Sequence, residues 1–175
     1  MDNLKATAKS IKLLILDVDG VLTDGKLYIG ENSEEIKSYN IKDGLGMRLL
    51  MDNGIEIAII TGRRSKSVEN RMNGLGIKHI YQGKLAKRES YEKLLTDLQL
   101  SPSEVAYIGD DLIDLPVMTK VGLPIAVADA HSKAKEVSKY ITTNIGGNGA
   151  VREICDLILD SQGKLENIYN KFLND

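Results

Sequence analysis

Residues 11–25 read IKLLILDVDGVLTDG, and this segment decides the fold. Its first part, residues 11–16, is apolar except for Lys12, which is typical of a strand buried on both faces of a parallel sheet. Asp17 and Asp19 follow where this strand is predicted to end. Side chains two residues apart on an extended backbone point to the same side, so both carboxylates should lie at the carboxyl edge of the sheet. Open α/β sheets bind ligands at that edge.

Two ionised carboxylates this close repel each other, so either one of them holds a proton or a cation lies between them. The acidic segment GDDLID at residues 109–114, which follows a later apolar strand, favours the cation. No histidine or cysteine cluster accompanies these carboxylates, and oxygen ligands select a hard cation. We therefore predict that Mg²⁺ binds near Asp17, Asp19 and Asp110.

Apolar strands alternate with helices of about ten residues along the rest of the chain. Further strands are predicted at residues 56–60, 78–81, 105–108, 123–127 and 140–142. Helices are predicted between them, including one at residues 87–98 and one from residue 150 to about residue 159. This alternation is typical of βαβ units with right-handed crossovers. The predicted fold class is therefore α/β, a three-layer sandwich with a mainly parallel, Rossmann-like sheet.

Residues 26–40, KLYIGENSEEIKSYN, predict a β-hairpin around a turn at residues 30–33. Tyr28 and Tyr39 are expected to pack against the rest of the protein. The hairpin is too short to form a cap domain, so we expect a small β-hairpin flap instead. Asp43 is expected to cap the helix that follows.

Length and composition indicate one domain over residues 1–175, with the flap at about 26–40 and a C-terminal tail at about 161–175. A net charge of −2, with one phenylalanine and no tryptophan, argues against a nucleic-acid partner. No apolar segment approaches the roughly 20 residues that span a bilayer, and no signal-peptide pattern is present. We therefore expect a cytoplasmic protein with no membrane partner. The single cysteine, Cys155, excludes an internal disulfide and is expected to be a buried thiol.

Side chains suited to phosphoryl transfer stand at the predicted strand ends and helix starts. Thr61, the backbone amide of Gly62 and Lys87 can hold phosphate oxygens. An ionised aspartate such as Asp17 can attack phosphorus without an activating base. Asp19 can then protonate the leaving alkoxide and later activate a water molecule. Phosphoryl transfer requires mainly positioning and charge neutralisation, which these residues supply.

Four segments resemble, in order and spacing, the motifs of the haloacid dehalogenase-like phosphatases. They are DVDGVLTD at residues 17–24, TGR at residues 61–63, Lys87, and GDDLID at residues 109–114. Five further segments are similar to the 3-deoxy-D-manno-octulosonate 8-phosphate phosphatase family over nearly the whole chain. They are NIKDG at 40–44, YQG at 81–83, AYIGDD at 106–111, AVADA at 126–130 and GAVRE at 149–153.

The resemblance implies a Mg²⁺-dependent phosphomonoester hydrolase of lipopolysaccharide precursor biosynthesis. Its substrate would be 3-deoxy-D-manno-octulosonate (Kdo) 8-phosphate, and it would release Kdo and inorganic phosphate through an aspartyl-phosphate intermediate. By resemblance, Asp17 is the nucleophile and Asp19 the acid/base, and Thr61 and Lys87 complete the catalytic set. The implied metal ligands are Asp17, the Asp19 carbonyl and Asp110. The implied substrate-binding residues are Asp19, Asn40, Ile41, Lys42, Asp43, Gly44, Arg48, Arg63, Arg71 and Lys87.

The family also implies a homotetramer, in which hairpins assemble into a barrel and a neighbour's tail covers the active site. A phosphatase with only a hairpin flap has an open site, and a subunit interface could supply the walls that exclude water. The sequence departs from the family pattern at Asn148, where related sequences carry an arginine. If that arginine reaches a substrate carboxylate, its absence would weaken substrate binding.

Two other functions compete with this interpretation. A phosphatase for a sialic-type nonulosonate 9-phosphate would carry the same motifs, since these motifs do not specify the leaving group. A phospho-accepting receiver domain also combines carboxylates, a threonine and a lysine around Mg²⁺. Receivers carry an adjacent acidic pair after the first strand, however, whereas here the adjacent pair Asp110 and Asp111 comes late. A non-catalytic scaffold is disfavoured because every catalytic position is filled.

Overall fold

The computed structural model describes residues 2–174. The helices are α1 (Asp2–Lys9), α2 (Ile41–Asp52), α3 (Lys66–Leu75), α4 (Lys87–Leu98), α5 (Leu115–Met118), α6 (Ser132–Val137), α7 (Ala150–Ser161) and α8 (Leu165–Asn174). The strands are β1 (Leu13–Leu16), β2 (Tyr28–Ile29), β3 (Glu35–Ile36), β4 (Glu56–Ile60), β5 (His79–Tyr81), β6 (Val105–Gly109), β7 (Leu123–Ala126) and β8 (Tyr140–Ile141). Short 3₁₀ turns precede β6 and α5.

Six of the strands form one sheet in the order β5-β4-β1-β6-β7-β8, and all its pairings are parallel. The central strand β1 is apolar at every position and fully buried, as a strand covered on both faces requires. Helices flank the sheet in two groups: α2 packs against α7, which also contacts α1, and α5 contacts α4 and α6. The predicted α/β, Rossmann-like sandwich is confirmed.

The register of the central strands determines where the site forms. Leu16 of β1 pairs with Ile59 of β4 on one side and with Ile108 of β6 on the other. The three strands therefore end level with one another. The residues that follow them, Asp17 and Asp110 among them, emerge side by side at the carboxyl edge of the sheet.

Strands β2 and β3 form the predicted antiparallel hairpin, in which Tyr28 pairs with Ile36 and Ile29 with Glu35. The predicted packing role of Tyr28 is wrong, because its ring is exposed and its hydroxyl donates a hydrogen bond to Asp24 at 2.7 Å. The bond to Asp24 keeps this ring at the surface, away from the core. Tyr39, beyond β3, does pack against the core as expected.

The N-cap of helix α2 lies three residues before the predicted cap, Asp43. Asn40 is the N-cap, and its side-chain oxygen accepts a hydrogen bond from the Lys42 backbone amide at 2.8 Å. The prediction that Asp43 caps α2 is wrong. Its buried carboxylate instead accepts a hydrogen bond at 2.8 Å from the Arg152 backbone amide, in the first turn of α7. Asp43 thus supplies the side-chain acceptor that Gly149, the N-cap of α7, lacks.

The C-terminal segment forms helix α8, of which Ile168 is buried while Phe172 and Leu173 are exposed. Cys155 is a buried free thiol, as predicted. Within residues 2–174, no helix combines the length and apolar character needed to cross a membrane.

Candidate active site

The carboxyl edge of the sheet carries a cavity of about 260 Å³. Its lining includes Asp17, Asp19, Thr61, Arg63 and Asp110, which come from the loops after β1, β4 and β6. Three of the four sequence-distant motifs therefore converge at the ends of three adjacent parallel strands, as predicted.

Lys87 brings the fourth motif into the floor of this site from the first position of α4. Its side chain is completely buried, and its ammonium lies 2.8 Å from Asp17 Oδ1 and 2.7 Å from Asp114 Oδ1. The Tyr107 hydroxyl donates to the same Asp114 oxygen at 2.6 Å. The buried ammonium is thus paired with two carboxylates, which is how proteins accommodate a charge out of water.

Asp17, Asp110 and Asp114 each present an oxygen within 4.8 Å of the others, so they could surround a metal ion. Asp114 is already engaged, however. Its Oδ2 accepts hydrogen bonds from the backbone amides of Asp110 and Asp111 at 2.9 and 3.1 Å. Its Oδ1 accepts hydrogen bonds from the Tyr107 hydroxyl and the Lys87 ammonium. Asp114 therefore orients the loop and the lysine, and Asp17 and Asp110 are the carboxylates left for a cation.

Asp110 lies directly against the loop after β1. A Cβ added to Gly20, which has a φ of +87°, would come 2.2 Å from Asp110 Oδ2. Only glycine fits this position, because a side chain would collide with the carboxylate and would also strain the left-handed backbone. The close approach brings Asp110 to the backbone that carries Asp17 and Asp19.

The electrostatics of this cluster fit a divalent cation. Burial raises the pKa of Asp17 to about 7, although Lys87 opposes the shift and Asp114 adds to it. Burial, together with the charges of Asp114 and Asp17, raises the pKa of Asp110 to about 8. Burial alone would lower the pKa of Lys87, but the two aspartates outweigh it and raise that pKa. Carboxylates this crowded, with oxygen donors only, fit Mg²⁺.

Asp19 lies on the other side of the cavity, next to the hairpin. Its Oδ1 is paired with the ammonium of Lys37, and its Oδ2 lies 3.8 Å from Arg63 Nε. Glu35, in strand β3, pairs with both Lys37 and Arg63. The predicted acid/base thus contacts side chains from the flap.

Comparison with known proteins identifies the family. Residues 77–154 match a family described as haloacid dehalogenase-like hydrolase. The chain is 54% identical over 165 residues to the Yersinia pestis 3-deoxy-D-manno-octulosonate 8-phosphate phosphatase KdsC, covering 94% of this chain and 88% of the relative. KdsC of Escherichia coli K12 is 55% identical over 161 residues, covering 92% and 86% of the two chains. The chain belongs to the 3-deoxy-D-manno-octulosonate 8-phosphate phosphatase family.

A solved structure of a family member agrees closely with the fold. The Moraxella catarrhalis phosphatase, crystallised with a magnesium ion, a phosphate ion and a KDO molecule, superposes with a TM-score of 0.96. It is 43% identical, and the match covers 98% of this chain and 99% of that one. The Yersinia pestis phosphatase structure has a TM-score of 0.93 at 55% identity, covering 94% and 89%.

The substrate-binding residues implied by the family resemblance fall into three places. Asp19, Arg63 and Lys87 are at the cavity. Five others, at the start of α2, form a second group: Asn40, Ile41, Lys42, Asp43 and Gly44. Arg71 joins this second group, because a Cβ on Gly44 would lie 2.4 Å from Arg71 Nη2, and its guanidinium lies 6.0 Å from the Tyr39 ring centroid.

Arg48 lies apart from both groups. Its Nη1 donates to the Leu75 carbonyl oxygen at 2.9 Å, and it lines a separate cavity with Glu56 and Lys78. Glu56 is the first residue of β4, so this cavity lies toward the amino edge of the sheet. The single chain therefore does not bring Arg48 to the cavity that contains Asp17.

Sequence reasoning missed three residues of the site: Glu35, Lys37 and Tyr107. Glu35 and Lys37 are two apart on extended backbone and so share one side of it, which is a detectable pairing of opposite charges in the hairpin. Tyr107 gave a weaker signal, since an aromatic residue in the apolar strand VAYIG looks like core. Only the structure reveals that its hydroxyl meets Asp114.

Proposed function

We propose that this protein is a Mg²⁺-dependent phosphatase that hydrolyses Kdo 8-phosphate to Kdo and inorganic phosphate. The observation that carries the proposal is the convergence of Asp17, Asp19, Asp110 and Lys87 around one cavity. Identity of 54% over 94% of the chain to a phosphatase of that name supports the substrate.

In the proposed reaction, the Asp17 carboxylate attacks the phosphorus of the substrate, and the bond from phosphorus to the sugar oxygen breaks. Asp19 gives its proton to that oxygen, so the sugar leaves as a neutral alcohol. Asp19 then takes a proton from a water molecule that attacks the phosphorus of the aspartyl phosphate. The phosphorus–oxygen bond to Asp17 breaks, which restores the carboxylate and releases inorganic phosphate.

The remaining residues hold the transferring group. The ammonium of Lys87 and the hydroxyl of Thr61 would bind phosphoryl oxygens. Asp17, Asp110 and the Asp19 carbonyl would hold Mg²⁺, which neutralises charge on the phosphoryl group when bound. Asp114 keeps Lys87 in place, so its ammonium is held next to the Asp17 carboxylate.

Assembly would complete the substrate site. The hairpin exposes Leu27, Ile29 and Ile36, and packing these side chains against other hairpins would remove them from water. We infer a homotetramer, in which a neighbouring copy supplies walls and the residues of the α2 start, Arg48 and Arg71 contact sugar bound to the same or another copy. We also infer that the 175 residues act as one domain in the cytoplasm, in lipopolysaccharide precursor biosynthesis.

Steady-state kinetics on a panel of phosphorylated sugar acids tests the substrate. We expect Kdo 8-phosphate to give the highest kcat/KM, and activity to require Mg²⁺ and to stop on addition of EDTA. A higher kcat/KM for a sialic-type nonulosonate 9-phosphate would overturn the substrate assignment. A single phosphorylation without turnover would instead favour the receiver function.

A further inference from the structure

Four charged side chains form a closed cluster where the hairpin meets the catalytic loop. The Lys37 ammonium pairs with Asp19 Oδ1 and lies 2.7 Å from Glu35 Oε1. The Arg63 guanidinium pairs with Glu35 Oε2 and lies 3.8 Å from Asp19 Oδ2. The hairpin thus contributes one cation and one anion, and the two active-site loops contribute the opposite partner for each.

Lys37 is the most deeply placed member of this cluster. Its side chain is 2% exposed, whereas that of Arg63 is 49% exposed. Lysine is almost never fully buried unless it is paired, and here its two partners are Asp19 and Glu35. Because the ammonium is shielded and its partners Asp19 and Glu35 are 24% and 23% exposed, these pairs restrain their members more than a fully exposed ion pair would.

The two oxygens of Asp19 consequently have different surroundings. Oδ1 accepts a hydrogen bond from the Lys37 ammonium, whereas Arg63 Nε lies 3.8 Å from Oδ2, beyond hydrogen-bond distance. A carboxylate that moves protons must keep one oxygen available at the reacting atoms while its orientation is maintained. Lys37 leaves Oδ2 available in this way.

We propose that Lys37 and Glu35 are positioning residues for the phosphatase reaction, with Lys37 orienting the Asp19 carboxylate and Glu35 holding both Lys37 and Arg63. The proposal rests on the proposed function, since it assigns proton transfer to Asp19. It gives the flap a part in the chemistry, because the hairpin carries the residue that aligns the acid/base.

Leaving-group dependence tests this role. An alkyl phosphate such as Kdo 8-phosphate needs a proton on its leaving oxygen, whereas p-nitrophenolate leaves without one. The variants are Lys37→Met, Lys37→Arg and Glu35→Gln. Lys26→Met is the matched control, because Lys26 is in the same hairpin segment, is 73% exposed and lies 3.7 Å from Asp24. For each, kcat/KM is measured with both substrates, since it reports the steps up to release of the leaving group.

We expect Lys37→Met to lower kcat/KM for Kdo 8-phosphate roughly 30- to 100-fold, and that for p-nitrophenyl phosphate less than about 5-fold. Lys37→Arg should recover most of the loss, and Glu35→Gln should give a smaller loss of about 5-fold with the same substrate preference. Lys26→Met should match the wild type. Equal losses on the two substrates, or no loss, would overturn the positioning role.

The same measurements separate a failure of the proposed function from a failure of the positioning role of Lys37. If the wild type hydrolyses other alkyl phosphates but not Kdo 8-phosphate, the substrate assignment fails, and the comparison of alkyl and aryl leaving groups still tests Lys37. If the wild type hydrolyses no phosphomonoester, both proposals fail.

Discussion

The two sides of the cavity are built differently. On the sheet side, Asp17, Lys87 and Asp114 have side chains that are at most 4% exposed. On the hairpin side, Asp19 and Arg63 are 24% and 49% exposed. The first side is fixed by the ends of three strands joined by two long-range parallel pairings, and the second depends on a flap with two-residue strands.

The two sides of the cavity would therefore have different roles in the proposed reaction. The sheet side would handle the phosphoryl group, which is common to all substrates of a phosphatase and needs fixed charges. The hairpin side would face the leaving group, which differs between substrates. The flap, whose apolar side chains Ile29 and Ile36 are exposed, can differ in sequence without disturbing the buried charges of the sheet side.

Replacing Asp17, the proposed nucleophile, should abolish the phosphoryl transfer assigned to the sheet side. Asp17→Asn is expected to lower kcat/KM roughly 10⁴-fold or more on both Kdo 8-phosphate and p-nitrophenyl phosphate, because the amide cannot accept the phosphoryl group. Stopped assays at high enzyme concentration measure the residual rate. The loss should be independent of the leaving group, unlike that of Lys37→Met. Substantial turnover of either substrate would remove Asp17 from the nucleophile role.

Removing the buried ammonium of Lys87 should lower the stability of the protein as well as its rate. Lys87→Met leaves Asp17 and Asp114 without their partner, and we expect a loss of about 3–5 kcal/mol in the free energy of unfolding. Urea denaturation in Mg²⁺-free buffer measures it. Lys93→Met, on the same helix, is the matched control: Lys93 is 61% exposed in its pair with Asp97, so its loss should be much smaller than that of Lys87→Met. Equal losses for Lys87→Met and Lys93→Met would show that burial of the Lys87 ammonium does not set the cost of removing it.

The sequence predicted the sheet side much better than the hairpin side. Strand β4 and helix α4 have the predicted bounds, 56–60 and 87–98, because a continuous apolar run and a helical period are local signals. Asp43 failed as a cap because its partner, the Arg152 amide, is 109 residues away. Lys37 went unnoticed for the same kind of reason. Its burial arises only when the folded chain brings the hairpin over Asp19.

Magnesium should stabilise the sheet side. A ligand that binds only the folded state at 100 times its Kd contributes about 2.7 kcal/mol, which for a chain of this size corresponds to roughly 5–10 °C in Tm. Thermal unfolding with Mg²⁺ and with EDTA measures the shift. Asp110→Asn should abolish it, whereas Asp111→Asn should retain it, since Asp111 accepts a hydrogen bond from the Leu112 amide at 2.7 Å. An unchanged shift in Asp110→Asn would exclude Asp110 as a ligand.

The turn at residues 146–149 belongs to neither side of the cavity, but it supports the loop that follows β1. The Gly147 amide donates to the Val21 carbonyl oxygen at 2.9 Å, and a Cβ on Gly146 would lie 1.8 Å from the Gly20 carbonyl oxygen. Glu153 of α7 holds the segment that leads into this turn. Its carboxylate accepts hydrogen bonds from the Thr143 backbone amide at 2.9 Å and from the Asn144 side-chain amide at 2.7 Å.

The contribution of Glu153 should depend on pH. Burial alone would raise its pKa, but hydrogen bonds from Thr143 and Asn144 outweigh burial and lower it below the ordinary 4.5. A lowered pKa in the folded state stabilises the protein above the unfolded pKa, and the benefit is lost as pH falls through the folded value. Glu153→Gln should therefore cost about 1 kcal/mol or less at pH 7, and the cost should shrink below pH 4.5. Denaturation at several pH values measures it, with the exposed Glu136→Gln as control, and a cost that stays constant with pH would attribute the effect to packing rather than charge.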